Sequence, residues 1–192
     1  MIHSYQVKYE TDAQITDNLG RPAYRIIRYI RNTPADPWLS DNTFMTVNTT
    51  NGLEFIENNL KFIKLTLPVR DNHSWKGNNY IDTWSPTSEV PYLADWDYTY
   101  DSVAVQQQVG NFTLDSCLVV NQCDQVDGNP LDPAFYSQVN YSQEKYAKGI
   151  GMVYRKFFHS TWQSPPPPPA PFTPGYFETG SYGVTLTMTD HN

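Results

Sequence analysis

Apolar and polar residues alternate one by one along at least six separate segments of this chain, and no window keeps a helical apolar period for longer than two turns. A period of two sends successive side chains to opposite faces of a strand, so each segment reads as a strand with one buried face. The residue types agree, with 14 Tyr, nine Phe and five Trp among 192 residues. Aromatic side chains fit the pleated surface of a sheet. The expected fold is all-β: a single-domain curved antiparallel sheet, half-barrel or sandwich-like, over residues 1–192. One domain of this length buries roughly 70% of its unfolded surface.

Along the chain, Ser4 to Glu10 alternates Tyr5, Val7 and Tyr9 against polar residues, and Asn18-Leu19-Gly20 turns into Ala23 to Arg31. Thr43–Thr50 and Leu53–Glu57 flank Asn51-Gly52, a strong hairpin signal. After a turn at Glu57-Asn58-Asn59, Ile63, Leu65, Leu67 and Val69 are expected on one face of the next strand, which Pro68 ends or places on an edge. Residues of about 70–94 read as a long central loop, and loops of that length tend to be functional.

Asp95 to Val105 puts Trp96, Tyr98, Tyr100 and Ala104 on one face and Asp95, Asp97, Thr99 and Asp101 on the other. Phe112 to Val120 repeats the alternation, and Asp127-Gly128-Asn129-Pro130 breaks it. In Tyr146–Phe158, two glycines, Gly149 and Gly151, split a stretch that reads as strand on both sides. Glycine inside a strand marks a bulge or bend, so one long bent strand is expected here, as a curved sheet needs. Tyr182 to Thr189 closes the sheet. The proline-rich loop at 164–174 favours an extended polyproline conformation.

The chemistry-bearing residues form no recognisable reaction centre, and no catalytic residue, cofactor or metal is expected. The ladder Asp95, Asp97 and Asp101 fails a calcium loop, which wants Gly sixth and a carboxylate twelfth; Tyr100 and Gln106 stand there. The four histidines lack metal-ligand spacing, and no Ser sits in a G-x-S-x-G elbow. Gly149-Ile150-Gly151 lacks the third glycine of a dinucleotide fingerprint. Cys117 and Cys123 on one extended strand stand about 20 Å apart, too far to bridge, although a turn at Asn121-Gln122 would change that. Tryptophans in and beside loops suit sugar or lipid binding by stacking or apolar contact. Trp75, Trp84 and Trp96, with Ile63, Leu65 and Leu67, are therefore the candidate ligand-binding residues. Leu114, Leu118, Met152 and Met188 are expected to complete an apolar pocket.

A net charge of −7 speaks against nucleic acid, which wants a basic face. No apolar run reaches the ~18 residues of a membrane span. The segment Tyr146-Ala147-Lys148-Gly149-Ile150-Gly151-Met152-Val153-Tyr154-Arg155, with Arg28–Asn32 and Trp38, Glu57–Leu65, and Val69–Asn78, resembles uncharacterised cell-envelope lipoproteins of the Bacteroidota. The resemblance implies a curved antiparallel sheet or half-barrel on a lipid anchor at the outer membrane or cell surface. Met1 then reads as the start of a trimmed chain. The expected function is non-enzymatic binding or scaffolding of a hydrophobic ligand or an envelope protein partner. The alternatives are a carbohydrate-binding module, with a glycan ligand, and a structural protein of a virion or surface assembly.

Overall fold

In the computed structural model the alternating segments become strands of two antiparallel sheets, neither closed into a barrel. The structure describes residues 2–167 and 173–191. Strands β1 (Gln6–Thr16), β2 (Pro22–Arg31), β3 (Leu39–Thr49), β4 (Gly52–Glu57) and β5 (Leu60–Thr66) form a five-stranded meander in chain order. The second sheet contains β6 (Ser74–Trp75), β7 (Tyr98–Val109), β8 (Phe112–Gly128), β9 (Ser137–Ala147), β10 (Gly151–Gln163), β11 (Tyr176–Phe177) and β12 (Tyr182–Thr187). Its order is β11-β10-β9-β8-β7-β6, with β12 also pairing β10. The chain divides into two compact units, Met1–Pro68 with Lys76–Ala94 and Val69–Trp75 with Asp95–Asn192. Of the proline-rich loop, residues 168–172 and the polyproline expected there lie outside the described residues.

The first unit packs both faces of its meander. Ala23 and Val47 are fully buried, and Tyr9, Phe44 and Phe55 stack in a row with ring centroids 5.8 and 5.3 Å apart. Arg28 lies over the Phe44 ring and grips Asp41 through two bonds of 2.9 and 2.7 Å. At the β1–β2 turn, Asp17 accepts the backbone N–H groups of Leu19 and Arg21, while Gly20 takes φ +77°. Left-handed φ costs a side-chain-bearing residue energy that glycine avoids.

Local geometry departs from the alternation at several places. The β3–β4 hairpin forms, but its two loop residues are Thr50 and Asn51, because Thr49 pairs with Gly52. Gly52 is required for another reason: a Cβ there would fall 2.0 Å from the Leu65 carbonyl oxygen. In β5 the register slips, so Leu65 pairs with Leu53 while Ile63 pairs with Glu54. Adjacent residues of β4 face opposite ways, so Ile63 and Leu65 do not share a face, and the extra residue, Lys64, is buried. The strand ends at Thr66, which leaves Leu67 57% exposed and Val69 exposed as well.

The glycine pair does not bend one long strand. Ala147 pairs with Gly151, so the chain reverses through Lys148, Gly149 and Ile150 as a β9–β10 hairpin. Three-residue hairpin loops need a left-handed residue, and Gly149 supplies it at φ +80°. In β7, slips beside Ser102 and Val105 and a φ of +55° at Ala104 shift the phase, so Ala104 is exposed rather than aligned with Tyr100. Ser116 does the same in β8, after which Cys117 and Val119 are buried where Phe112 and Leu114 are half-buried. β8 then continues, with a bulge at Gln122, to Gly128 rather than turning at Asn121 and Gln122, so both cysteines lie on one strand and are free.

Candidate functional site

The tryptophan and aliphatic candidates fall in both compact units. Trp84, Ile63, Leu65 and Leu67 belong to the first unit, Trp75 and Trp96 to the second. Trp84 stands 78% exposed in the loop, and Asp82 accepts its backbone N–H. Trp75 is half-buried in an aromatic cluster with His73, Tyr98 and Tyr100, its ring 4.7 Å from Tyr100. Trp96 is buried and meets Phe157 of β10 with ring centroids 5.9 Å apart. Leu114 and Met188 pack against Val109, Cys117, Ala147 and Val153. Two of the residues expected in an apolar pocket, Leu114 and Met188, thus fill a core, and the slip in β5 turns Ile63 away from Leu65.

What the second sheet does assemble is a buried polar row. Tyr100 pairs with Val120, Val120 with Glu144, and Glu144 with Arg155, so the four stand side by side on one face. Trp96 and Tyr98 are buried on that face, and Asp95, Asp97 and Asp101 point to water as the alternation requires. Glu144 is 0% exposed. Its Oε2 accepts bonds from Gln122 Nε2 at 2.8 Å and Tyr146 Oη at 2.5 Å, and its Oε1 lies 3.6 Å from Arg155 Nε. Ser142 donates to Gln122 Oε1 at 2.6 Å, orienting the amide. Burial, and then the Glu144 charge, hold the Tyr146 phenol well above its ordinary value. A proton stays on that oxygen, so Tyr146 serves the carboxylate as a donor.

Farther along β9 and β10, His159 Nδ1 lies 2.6 Å from Asn140 Oδ1. Burial lowers the His159 pKa, opposed by the charge of Glu178. Burial also pushes the Cys123 thiol up to about 12, and raises Cys117. In the first unit, Arg21 joins Asp17 at 2.7 Å to Glu54 at 2.6 Å. Desolvation works to raise Asp17, but hydrogen bonds from Arg21 and Leu19 outweigh it and hold the carboxyl below its ordinary value. Among the described residues, no three His, Cys, Asp or Glu side chains gather to hold a metal ion.

The five-stranded sheet carries a cavity of about 260 Å³. Ile15, Phe44, Met45 and Ile56 give it apolar walls, while Arg25 and the β4–β5 turn at Asn58-Asn59 give it polar ones. Asn58 and Asn59 take φ of +52° and +62°, the two left-handed positions of a tight hairpin turn. None of the candidate residues lines this cavity.

Sequence reasoning passed over Gln122, Glu144, Tyr146 and Arg155. A signal was present: Asn140, Ser142, Glu144 and Tyr146 recur at a period of two, a strand face that is polar throughout. The exposed apolar residues Leu131 and Phe135, just beyond the break at Asp127–Pro130, were passed over as well.

No family model matches the chain, and no curated protein or solved structure matches it either.

Proposed function

We propose that this chain is a non-enzymatic binding and scaffolding protein of the cell envelope that docks a protein partner. The observation that carries the reading is where its large apolar side chains stand. Leu131 is 93% exposed and Phe177 62%, and Val126, Phe135, Tyr136 and Tyr176 are exposed beside them in sequence. Single exposed apolar residues are ordinary, whereas a gathered set marks an interaction surface. The buried acid of the second sheet supports the same reading, because Glu144 is enclosed by Gln122, Tyr146 and Arg155, with no exposure through which a substrate could enter.

The test is affinity purification of the tagged chain from its native cells, beside the double variant Leu131→Ser/Phe177→Ser. A partner retained by the first and lost from the second supports the reading, provided circular dichroism shows the same fold. Failure of the native chain to retain any partner, or equal retention by the variant, would defeat it. The envelope setting and lipid anchor come from the resemblance, and fractionation of those cells with lipid labelling of the product tests them.

A second reading draws on the cavity. At about 260 Å³ it lies just under the ~300 Å³ lower range of ligand sites. The asparagines, and the part of the Arg25 guanidinium not engaged by Asp12, suit a small polar ligand such as a sugar ring better than an acyl chain. Loss of sugar binding in Arg25→Ala, against an unchanged Trp84→Ala, would favour that reading.

A further inference from the structure

The charge of the chain is unevenly divided. The first unit holds nine acids and eight bases, a net −1, while the second holds eleven acids and five bases, a net −6. Within the second unit, Arg155 is already engaged with Glu144. At the end of the sheet formed by residues 124–136 and 173–181 there are four acids, Asp124, Asp127, Asp132 and Glu178, and no Lys, Arg or His.

The same end presents the exposed aromatic side chains. Trp162 anchors it: its indole N–H donates to the Pro133 carbonyl at 3.0 Å, and its ring meets Phe177 edge-on at 4.9 Å. Gly175 passes so close that a Cβ there would fall 2.4 Å from the Trp162 ring. The Asn129–Tyr136 turn is held by its own backbone bonds, Asn129 to Tyr136, Asp132 to Asn129 and Phe135 to Asp132. An ordered turn therefore holds Leu131 and Phe135 out to water. Tyr136 belongs to the same patch, since its phenol is raised by burial and then by the charges of Asp127 and Glu178.

We infer that this end of the seven-stranded sheet is a docking surface for a basic, apolar segment of another protein, with Asp127 and Glu178 meeting its Lys or Arg side chains and Tyr136, Tyr176 and Phe177 its apolar ones. Charge decides the occupant. Aromatic faces and carboxylates both attract cations, and residues 124–136 and 173–181 bring no Lys or Arg to them, Glu178 being met only by the Gln163 amide at 2.7 Å and, through its charge, by the buried His159. A second copy does not fit, because the same surface on it is equally acidic. The bases of its first unit are also largely committed, Arg21 to Asp17 and Glu54, Arg25 to Asp12 and Arg28 to Asp41. This inference rests on the proposed docking function and names its surface and partner chemistry.

The experiment titrates a short synthetic peptide of alternating Lys and Leu into the isotopically labelled full chain, read by amide chemical shifts. Shifts should concentrate on residues 126–136 and 176–178. Binding should weaken about tenfold or more in Asp127→Asn/Glu178→Gln and in high salt, as expected when opposite charges meet at a partly exposed surface. The variant Phe177→Ser should also weaken it, and a Glu-Leu peptide should not bind. Equal binding of the Glu-Leu peptide, shifts centred elsewhere, or an unchanged affinity in Asp127→Asn/Glu178→Gln would overturn the inference. If the Lys-Leu peptide fails while Leu131→Ser/Phe177→Ser still loses the native partner, the docking function stands and the basic chemistry falls. If that variant keeps its partner, the docking function falls too.

Discussion

Replacing Glu144 with Ala tests the buried row most directly. The carboxylate has no contact with water and takes bonds from Gln122 and Tyr146 while facing Arg155 across the β9–β10 pair. Removing it takes the acceptor from Gln122 and Tyr146 and the carboxylate that faces Arg155. Breaking a buried ion pair from one side costs about 3–5 kcal/mol. The Arg155 side chain is 21% exposed and can recover some hydration, which places the expectation near the lower end, about 3 kcal/mol. Tyr146→Phe removes one charge-assisted bond and should cost about 1.5–3 kcal/mol by itself. In the Glu144→Ala background the hydroxyl no longer has that acceptor, so the same change should cost little or even stabilise. The two substitutions should therefore be non-additive by about 1 kcal/mol or more. Urea unfolding of the four proteins, followed by tryptophan fluorescence, measures the cycle, since Trp96 is buried on the same face. Additive losses, or a Glu144→Ala cost below about 1 kcal/mol, would refute the claim that the row acts as one unit.

Gly151→Val should destabilise by about 1 kcal/mol or more, because Gly151 sits at φ +107° with no neighbouring atom to crowd a side chain, so the strain is in the backbone alone. An unchanged melting temperature would remove that argument. His159 is held neutral by burial, below its ordinary 6.5, so the unfolded chain takes up its proton first as pH falls. The resulting stability is present above pH 6.5 and is lost as pH drops toward the lower folded value. Melting curves from pH 8 to 5 should show this slope, and His159→Gln should flatten it; equal slopes would sink the assignment. Cys117 and Cys123 should resist iodoacetamide at neutral pH in the native chain and react in urea, because burial keeps both thiols protonated. Rapid native alkylation of both would contradict their burial.

Where a feature depends on neighbours in the chain, the sequence sufficed. Alternation at Trp96, Tyr98 and Tyr100 against Asp95, Asp97 and Asp101 determined which way each side chain points, because a slip of one residue would have buried three carboxylates. The turn at Asn58-Asn59 was readable for a similar reason, since few residue types tolerate left-handed φ. The tertiary structure decided the rest. Whether Gly149 and Gly151 bend a strand or reverse it depends on whether Ala147 and Gly151 pair, and pairing is a relation between segments. Bulges at Lys64, Ala104 and Ser116 are slips of one strand against its partner, so no single strand records them, yet they turned Ile63 away from Leu65 and Ala104 out to water. Glu144 looked like any other acid among twenty. Only the β8–β9–β10 register placed Gln122 and Arg155 against it, because a buried charge is tolerated through partners supplied by other strands.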